Sequence, residues 1–158
     1  MQKLNVFFDV DNTLLMWDGS LRNHTRDVFE RILAAEHTIY IWSGVGIRRW
    51  EMEMNKLDHF VTDYFIKPLY DHRARLPKLG VTVEPDFVID DHRSVVEVFG
   101  GYYIPDVAGP DDEELLRVAE AIEARARGDA DGESERILPA DGEPPTVGPA
   151  AGGAPAGE

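Results

Sequence analysis

Cysteine is absent from the 158 residues, which excludes a disulfide framework, a thiol nucleophile and any Cys-ligated zinc or iron–sulfur centre. No apolar run approaches the roughly 18 residues of a membrane span. The N-terminal stretch MQKLNVFFDVDNT reaches Asp9 before a signal-peptide core can form. These absences lead to the expectation of a cytoplasmic protein with no membrane partner. Positive charge is also scarce: 16 Lys and Arg stand against 30 Asp and Glu, a net charge of −14. Such a surface disfavours general binding to nucleic acid, whose phosphates need basic partners. What is present is a hydrophobic fraction of 43%, enough at this length for the core of one ordinary domain.

The acidity is uneven. Residues 128–158 carry seven acids and one base, Arg136, and are rich in Gly, Pro and Ala, with only Ile137, Leu138 and Val147 as larger apolar residues. A segment of this composition buries too little surface to offset its ordering entropy. The expectation is a folded domain over 1–127 and a disordered acidic tail over 128–158.

Within the folded part, strand and helix patterns alternate. Leu4–Phe8 reads as a buried strand, Arg22–Ala35 as a helix with one apolar face, and Thr38–Trp42 as a second strand. Ile47–Leu57 reads as a helix and Tyr64–Ile66 as a short strand. Leu69–Leu79 is a helix candidate that Pro77 strains, with Gly80 as its stop. Phe87–Asp90 and Tyr102–Ile104 complete five strands, with a short helix around Ser94–Phe99 between them. Asp111–Arg127 is the clearest helix, with acids in its first turn and arginines in its last. Alternation of this kind implies an α/β fold, Rossmann-like and three-layered, with a mainly parallel sheet of about five strands. Ligands of such sheets bind at the carboxyl ends of the strands, so the residues just after each strand carry the functional information.

Those residues are Asp9-Val10-Asp11-Asn12-Thr13, then Ser43-Gly44, Lys67-Pro68 and Asp90-Asp91. Singly, each has an ordinary explanation as a turn, a cap or a solvated side chain. Together they put four carboxylates, Asp9, Asp11, Asp90 and Asp91, at neighbouring strand ends. Like charges about 4 Å apart repel by roughly 1–4 kcal/mol per pair, so the cluster needs a cation or shared protons. An all-oxygen donor set selects a hard ion, and Mg²⁺ suits a site shared between carboxylates and a phosphate. Lys67 would balance the remaining phosphate charge, and the hydroxyls of Thr13 and Ser43 would bond phosphate oxygens or hold the loop. Amide groups near Gly44, at the start of the second helix, would form an anion seat. Asp9 beside the ion and Lys67 would stay ionised and attack phosphorus. Asp11 would protonate the leaving oxygen and then deprotonate water.

FFDVDNTLL, IYIWSG, FIKP and FVIDD resemble, in order, motifs I to IV of the haloacid dehalogenase-like hydrolases, over about residues 3–105. The resemblance implies Mg²⁺-dependent hydrolysis of phosphomonoesters through an aspartyl-phosphate. By position it makes Asp9 the nucleophile, Asp11 the general acid/base, Thr13 the motif I threonine, Ser43 the phosphate binder and Lys67 the motif III lysine. Asp90 becomes a metal ligand, Asp91 an acid that assists the metal directly or through water, and the main-chain carbonyl of Asp11 a further ligand. Asp11 argues for phosphatase chemistry, since dehalogenases of the family lack it. Asn12 stands where Gly is commoner but tolerates the same turn. Lys78 is a rival to Lys67, disfavoured by its place along a helical run.

Only 29 residues separate Thr13 from Ser43, and 23 separate Ser43 from Lys67. No cap domain fits in either gap, so the site should be open, with Leu14–Leu21 as a local flap carrying Trp17. Capless relatives accept large substrates or borrow a neighbouring subunit as a lid, which leaves a homo-oligomer open. His92 and Arg93 adjoin the site and are read as surface or supporting residues, and the pair Arg48-Arg49 as solvated. Three functions compete: a phosphatase of a small phosphorylated metabolite, which leads; a phosphatase of a phosphoprotein or nucleic-acid end; and a non-catalytic metal- or phosphate-binding module.

Overall fold

A computed structural model describes residues 1–130 and 134–141. Six strands form one sheet: β1 (Asn5–Phe8), β2 (Thr38–Ser43), β3 (Asp63–Ile66), β4 (Phe87–Asp90), β5 (Gly101–Tyr103) and β6 (Ile137–Leu138). Their spatial order is β3-β2-β1-β4-β5-β6. The first five are parallel and β6 runs antiparallel to β5. The helices are α1 (Thr25–Ala34), α2 (Arg49–Met54), α3 (His72–Arg75), α4 (Arg93–Phe99) and α5 (Glu114–Arg127). Among the described residues no helix is long and apolar enough to cross a membrane.

Alternation along the strands builds two cores. Val6, Phe8, Ile39, Ile41, Phe87 and Ile89 face one way and pack with apolar residues of α1 and α5. Phe7, Tyr40, Trp42 and Val88 face the other way and pack with Val95, Val96 and Phe99 of α4. A parallel sheet buried on both faces needs apolar residues at successive positions, which is why β1 reads Val-Phe-Phe. The layers are therefore helix, sheet, helix, as alternation in the sequence implies. The segments between β1 and β3 hold a flap, α1, α2 and one 3-10 turn, Asp58–Phe60. No cap domain stands over the sheet among the described residues.

Several elements differ from the sequence reading, each for a local reason. α1 starts at Thr25 rather than Arg22, because the Arg22 amide bonds the Leu14 carbonyl (2.7 Å) and its side chain is drawn into the interior. α2 starts at Arg49 rather than Ile47, after a loop in which Gly46 has φ 143°. It stops early, where Lys56 turns left-handed at φ 57°. The helix expected over 69–79 shrinks to the single turn of α3: left-handed Asp71 delays its start, and Pro77, which has no amide to donate, interrupts the helical ladder although Leu76 keeps helical dihedrals. α5 begins at Glu114, whose amide is bonded by the Asp112 carboxylate (3.1 Å), and ends at left-handed Gly128.

The largest correction concerns the tail. Its residues 134–141 run along the sheet, and β6 adds a sixth, antiparallel strand to the mainly parallel sheet of about five that was expected. Gly101 pairs with Leu138 and Tyr102 with Ile137, and the Tyr103 amide bonds the Arg136 carbonyl at 2.7 Å. Leu138 is buried. Two apolar residues suffice here because they cap an open sheet edge whose amides need partners anyway. Gly101, at φ 149°, has no room for a Cβ, which would run into the backbone of Val88. The rest of the expected tail, residues 131–133 and 142–158 with Val147, lies outside the described residues.

Candidate active site

The chain reverses its direction of travel across the sheet between β1 and β4. There the two strands end side by side, β1 running straight into Asp9 and β4 closing on Asp90. Such a switch point opens a crevice at the carboxyl edge. Both residues are buried. Lys67, one residue beyond β3, reaches across and donates to Asp9 Oδ1 (3.1 Å) and Asp90 Oδ2 (2.8 Å). Thr13, fully buried, donates its hydroxyl to Asp9 Oδ2 (3.2 Å). The His92 amide donates to Asp90 Oδ1 (2.9 Å). The Asp91 side chain is also almost wholly covered, beside the Asp9 carboxyl. Its Oδ1 has no hydrogen-bond partner, although His92 Nδ1 lies 3.3 Å away. Lys78, the rival lysine, is exposed and takes no part.

The electrostatics follow from this burial. Desolvation pushes the Asp9 carboxyl up to about 6, against the pull of Lys67 and with a further push from Asp91. The amine alone would have held Asp9 low, so burial outweighs it. Burial raises Asp90 as well, helped by the charge of Asp9, and burial raises Asp91. Burial pulls the Lys67 ammonium down, but Asp90 and Asp9 more than restore it, so it lies above its ordinary value. Three covered carboxylates thus cluster near one ammonium, which only Asp9 and Asp90 contact, leaving two negative charges in excess when all are ionised.

That imbalance is a test of whether a cation fits. The donors are all carboxylate oxygens, one of them, Asp91 Oδ1, buried and unpartnered. Asp90, Asp91 and exposed His92 offer atoms within 4.8 Å of one another. A hard divalent ion held by Asp90 and Asp91, with Asp9 beside them, would supply the missing charge and the missing partner.

Asp11 is placed differently from the expectation of four converging carboxylates. Its side chain is 55% exposed and lies in the grip of Arg48, whose Nη1 and Nη2 donate to Asp11 Oδ2 (2.7 Å) and Oδ1 (3.1 Å). Asp11 still lines the same cavity, of about 150 Å³, as Asp9, Ser43, Lys67 and Leu69. Asn12 adopts the left-handed turn that the sequence allowed, at φ 65°.

Ser43 is buried at the end of β2. Its Oγ accepts from the Val45 amide (3.2 Å) and from Arg48 Nη1 (3.4 Å). The anion seat expected at the start of the second helix is not there, because α2 begins five residues beyond Gly44. Gly44 serves a different need: Leu69 packs over it, and a Cβ would come within 2.5 Å of Leu69 Cδ2.

Arg48 is the residue that sequence reading missed. Taken as solvated, it is instead 13% exposed, with Nε on Glu51 (2.8 Å). Arg49 is exposed, in keeping with that reading, and its guanidinium lies over the Tyr64 ring at 4.3 Å. A signal for Arg48 existed: it lies five residues after the strand-end serine, on the loop that rims the site. His92 is 73% exposed, and Trp17, at the flap tip, 89%.

No known protein-family model matches the chain, and no curated protein does.

Proposed function

We propose that the chain is a Mg²⁺-dependent phosphomonoester hydrolase of the haloacid dehalogenase-like type. The observation that carries this reading is the covered pair Asp9 and Asp90 around a single ammonium, with Asp91 beside them and one of its oxygens left unpartnered. Phosphoryl transfer is catalysed mainly by alignment and charge stabilisation, and these groups supply both. The cation, when bound, draws the carboxylates into their ionised form and neutralises charge on the phosphoryl oxygens.

In this reading Lys67 and Thr13 hold the Asp9 carboxylate, each on a different oxygen. An Asp9 oxygen forms a bond to phosphorus as the ester oxygen leaves with its bonding pair and takes a proton from Asp11. Water then loses a proton to Asp11, its oxygen bonds to phosphorus, and the Asp9–phosphorus bond breaks to free phosphate. The hydroxyl of Ser43 binds a phosphoryl oxygen. Gly44 gives the phosphoryl group access by carrying no side chain there.

A small phosphorylated metabolite is the leading substrate class. One feature favours a second reading, a phosphoprotein or another macromolecular phosphate: the cavity holds little more than a phosphoryl group and opens past exposed apolar residues, Val45 and Leu69. Asp9→Asn tests the chemistry common to both. Wild-type protein with Mg²⁺ is expected to release phosphate from members of a broad phosphoester panel, and Asp9→Asn from none. A wild-type protein that binds Mg²⁺ yet releases nothing overturns the proposal. Unchanged turnover in Asp9→Asn does the same.

A further inference from the structure

Arg48 spends its donors in an unusual way. Nε is committed to Glu51 within its own helical turn, which fixes the root of the guanidinium. The fork, Nη1 and Nη2, embraces both oxygens of Asp11. Nη1 also stands 3.4 Å from Ser43 Oγ. A carboxylate with both oxygens turned into a guanidinium fork has neither oxygen free to face a leaving group, so the observed pairing and the general-acid role of Asp11 need different placements of its side chain. Something must part them. Arg48 is one hydrogen-bond length from the hydroxyl proposed to seat the phosphoryl group, so an oxygen bound at Ser43 falls within reach of the same fork. A phosphate dianion presents planar oxygen pairs like a carboxylate and carries more charge, and a guanidinium binds it in the same bidentate manner. Asp11 is half exposed and free to swing once released. Of the other nearby cations, Lys67 is committed to Asp9 and Asp90, and exposed Arg49 lies over Tyr64 rather than toward Ser43.

We propose that Arg48 binds the substrate phosphoryl group and is handed over to it from Asp11, so that phosphate arrival frees the Asp11 side chain to move. The inference rests on the phosphatase reading for its chemistry, but its test does not require turnover.

Inorganic phosphate is titrated calorimetrically into four proteins, with Mg²⁺ present throughout: wild type, Arg48→Gln, Asp11→Asn and the double variant. Arg48→Gln keeps much of the stem and its packing, and circular dichroism with melting curves establishes that each variant is folded. If Arg48→Gln does not fold, Arg48→Lys takes its place; the lysine keeps a charge but loses the fork. Loss of a charged bidentate pair is expected to weaken phosphate binding about tenfold or more. Asp11→Asn is expected to tighten binding several-fold, because the competitor for the fork is gone. In the Arg48→Gln background that tightening should vanish. If Asp11→Asn tightens binding equally in both backgrounds, only bulk repulsion was relieved and the handover is refuted. Undiminished phosphate affinity in Arg48→Gln refutes it too. A wild type that hydrolyses esters but does not bind inorganic phosphate overturns the handover and leaves the phosphatase reading standing. Phosphate binding that follows the cycle, in a protein that hydrolyses nothing, does the reverse.

Discussion

Arg22 offers the sharpest test of what holds the site loop in place. Its guanidinium is entirely buried, and it donates to the carbonyls of Thr13 (2.7 Å), Asn12 (3.0 Å) and Pro105 (2.6 Å) and to the Asp112 carboxylate (3.1 Å). One side chain thus ties the loop after β1 to the segment after β5 and to the start of α5. Arg22→Met keeps the length of the stem and removes every donor. Asp112 would remain, 5% exposed, as an uncompensated charge. Breaking a buried ion pair from one side costs about 3–5 kcal/mol. The stranded carbonyls add to that, while water entering the space takes some back. We take about 4 kcal/mol as the balance, a large share of the roughly 5–15 kcal/mol that holds a domain folded. With a urea dependence of about 2 kcal/mol per molar for a chain of this size, the unfolding midpoint should fall by about 2 M. The double variant with Asp112→Asn should recover part of the loss, because the orphaned charge goes with its partner. A midpoint shift below about 0.5 M for Arg22→Met, or full additivity of the two changes, would show that the network contributes little.

Two further outcomes are expected. Mg²⁺ should raise the melting temperature by several degrees at a hundredfold excess over its dissociation constant, since that occupancy is worth about 2.7 kcal/mol; Asp91→Asn should blunt the rise, and a melting temperature indifferent to Mg²⁺ counts against the carboxylate set as a cation site. His37 is buried and its Nδ1 accepts the Leu4 amide (3.0 Å), and burial lowers its pKa despite the pull of Glu123. A lowered folded pKa means that the unfolded chain binds the proton more readily, so this stabilisation is whole above about 6.5 and is lost as pH falls through the folded value. Urea midpoints at neutral and mildly acidic pH should therefore converge in His37→Gln relative to wild type, and an unchanged pH slope would remove His37 from the account.

How much of this was legible in the sequence depends on the kind of signal. Buried parallel strands announce themselves as short apolar runs, and Phe87–Asp90 has the same bounds in the sequence reading and in the fold. Asp9, Ser43, Lys67 and Asp90 could be placed at one edge because the rule for parallel sheets concerns strand ends, which composition marks. Helix limits were less legible. Arg22 satisfies helical periodicity, yet its buried partners are 9, 10, 83 and 90 residues away, and such a network leaves no local trace. Arg48 failed for the same reason: an arginine on an amphipathic pattern looks solvated until a carboxylate 37 residues away is folded against it. The strand in the tail was hidden by composition. Acids, Gly and Pro surround Ile137 and Leu138, and only the vacancy at the β5 edge makes those two residues count.

The sheet order also explains why the amine comes from β3 and why its neighbours are small. Strands lie about 4.8 Å apart, and β3 is separated from β4 by β2 and β1. In a flat sheet that is about 14 Å between backbones, yet Lys67 Nζ lies 2.8 Å from Asp90 Oδ2. The contact must pass above the ends of β2 and β1, and it can do so only if those ends carry short side chains. They carry Ser43 and Asp9. Ser43 therefore has a spatial role besides its hydroxyl: its carbonyl bonds the Lys67 amide (2.9 Å), setting the height at which the lysine leaves β3, and its single-carbon side chain leaves the path open. A four-methylene stem is the side chain suited to that path, since it is long, thin and carries charge only at its tip. The same geometry limits what else the edge can do. A longer residue at 43 would push Lys67 aside and leave Asp9 and Asp90 without their amine, so the position proposed to seat a phosphoryl oxygen is also the one that keeps the carboxylate cluster balanced.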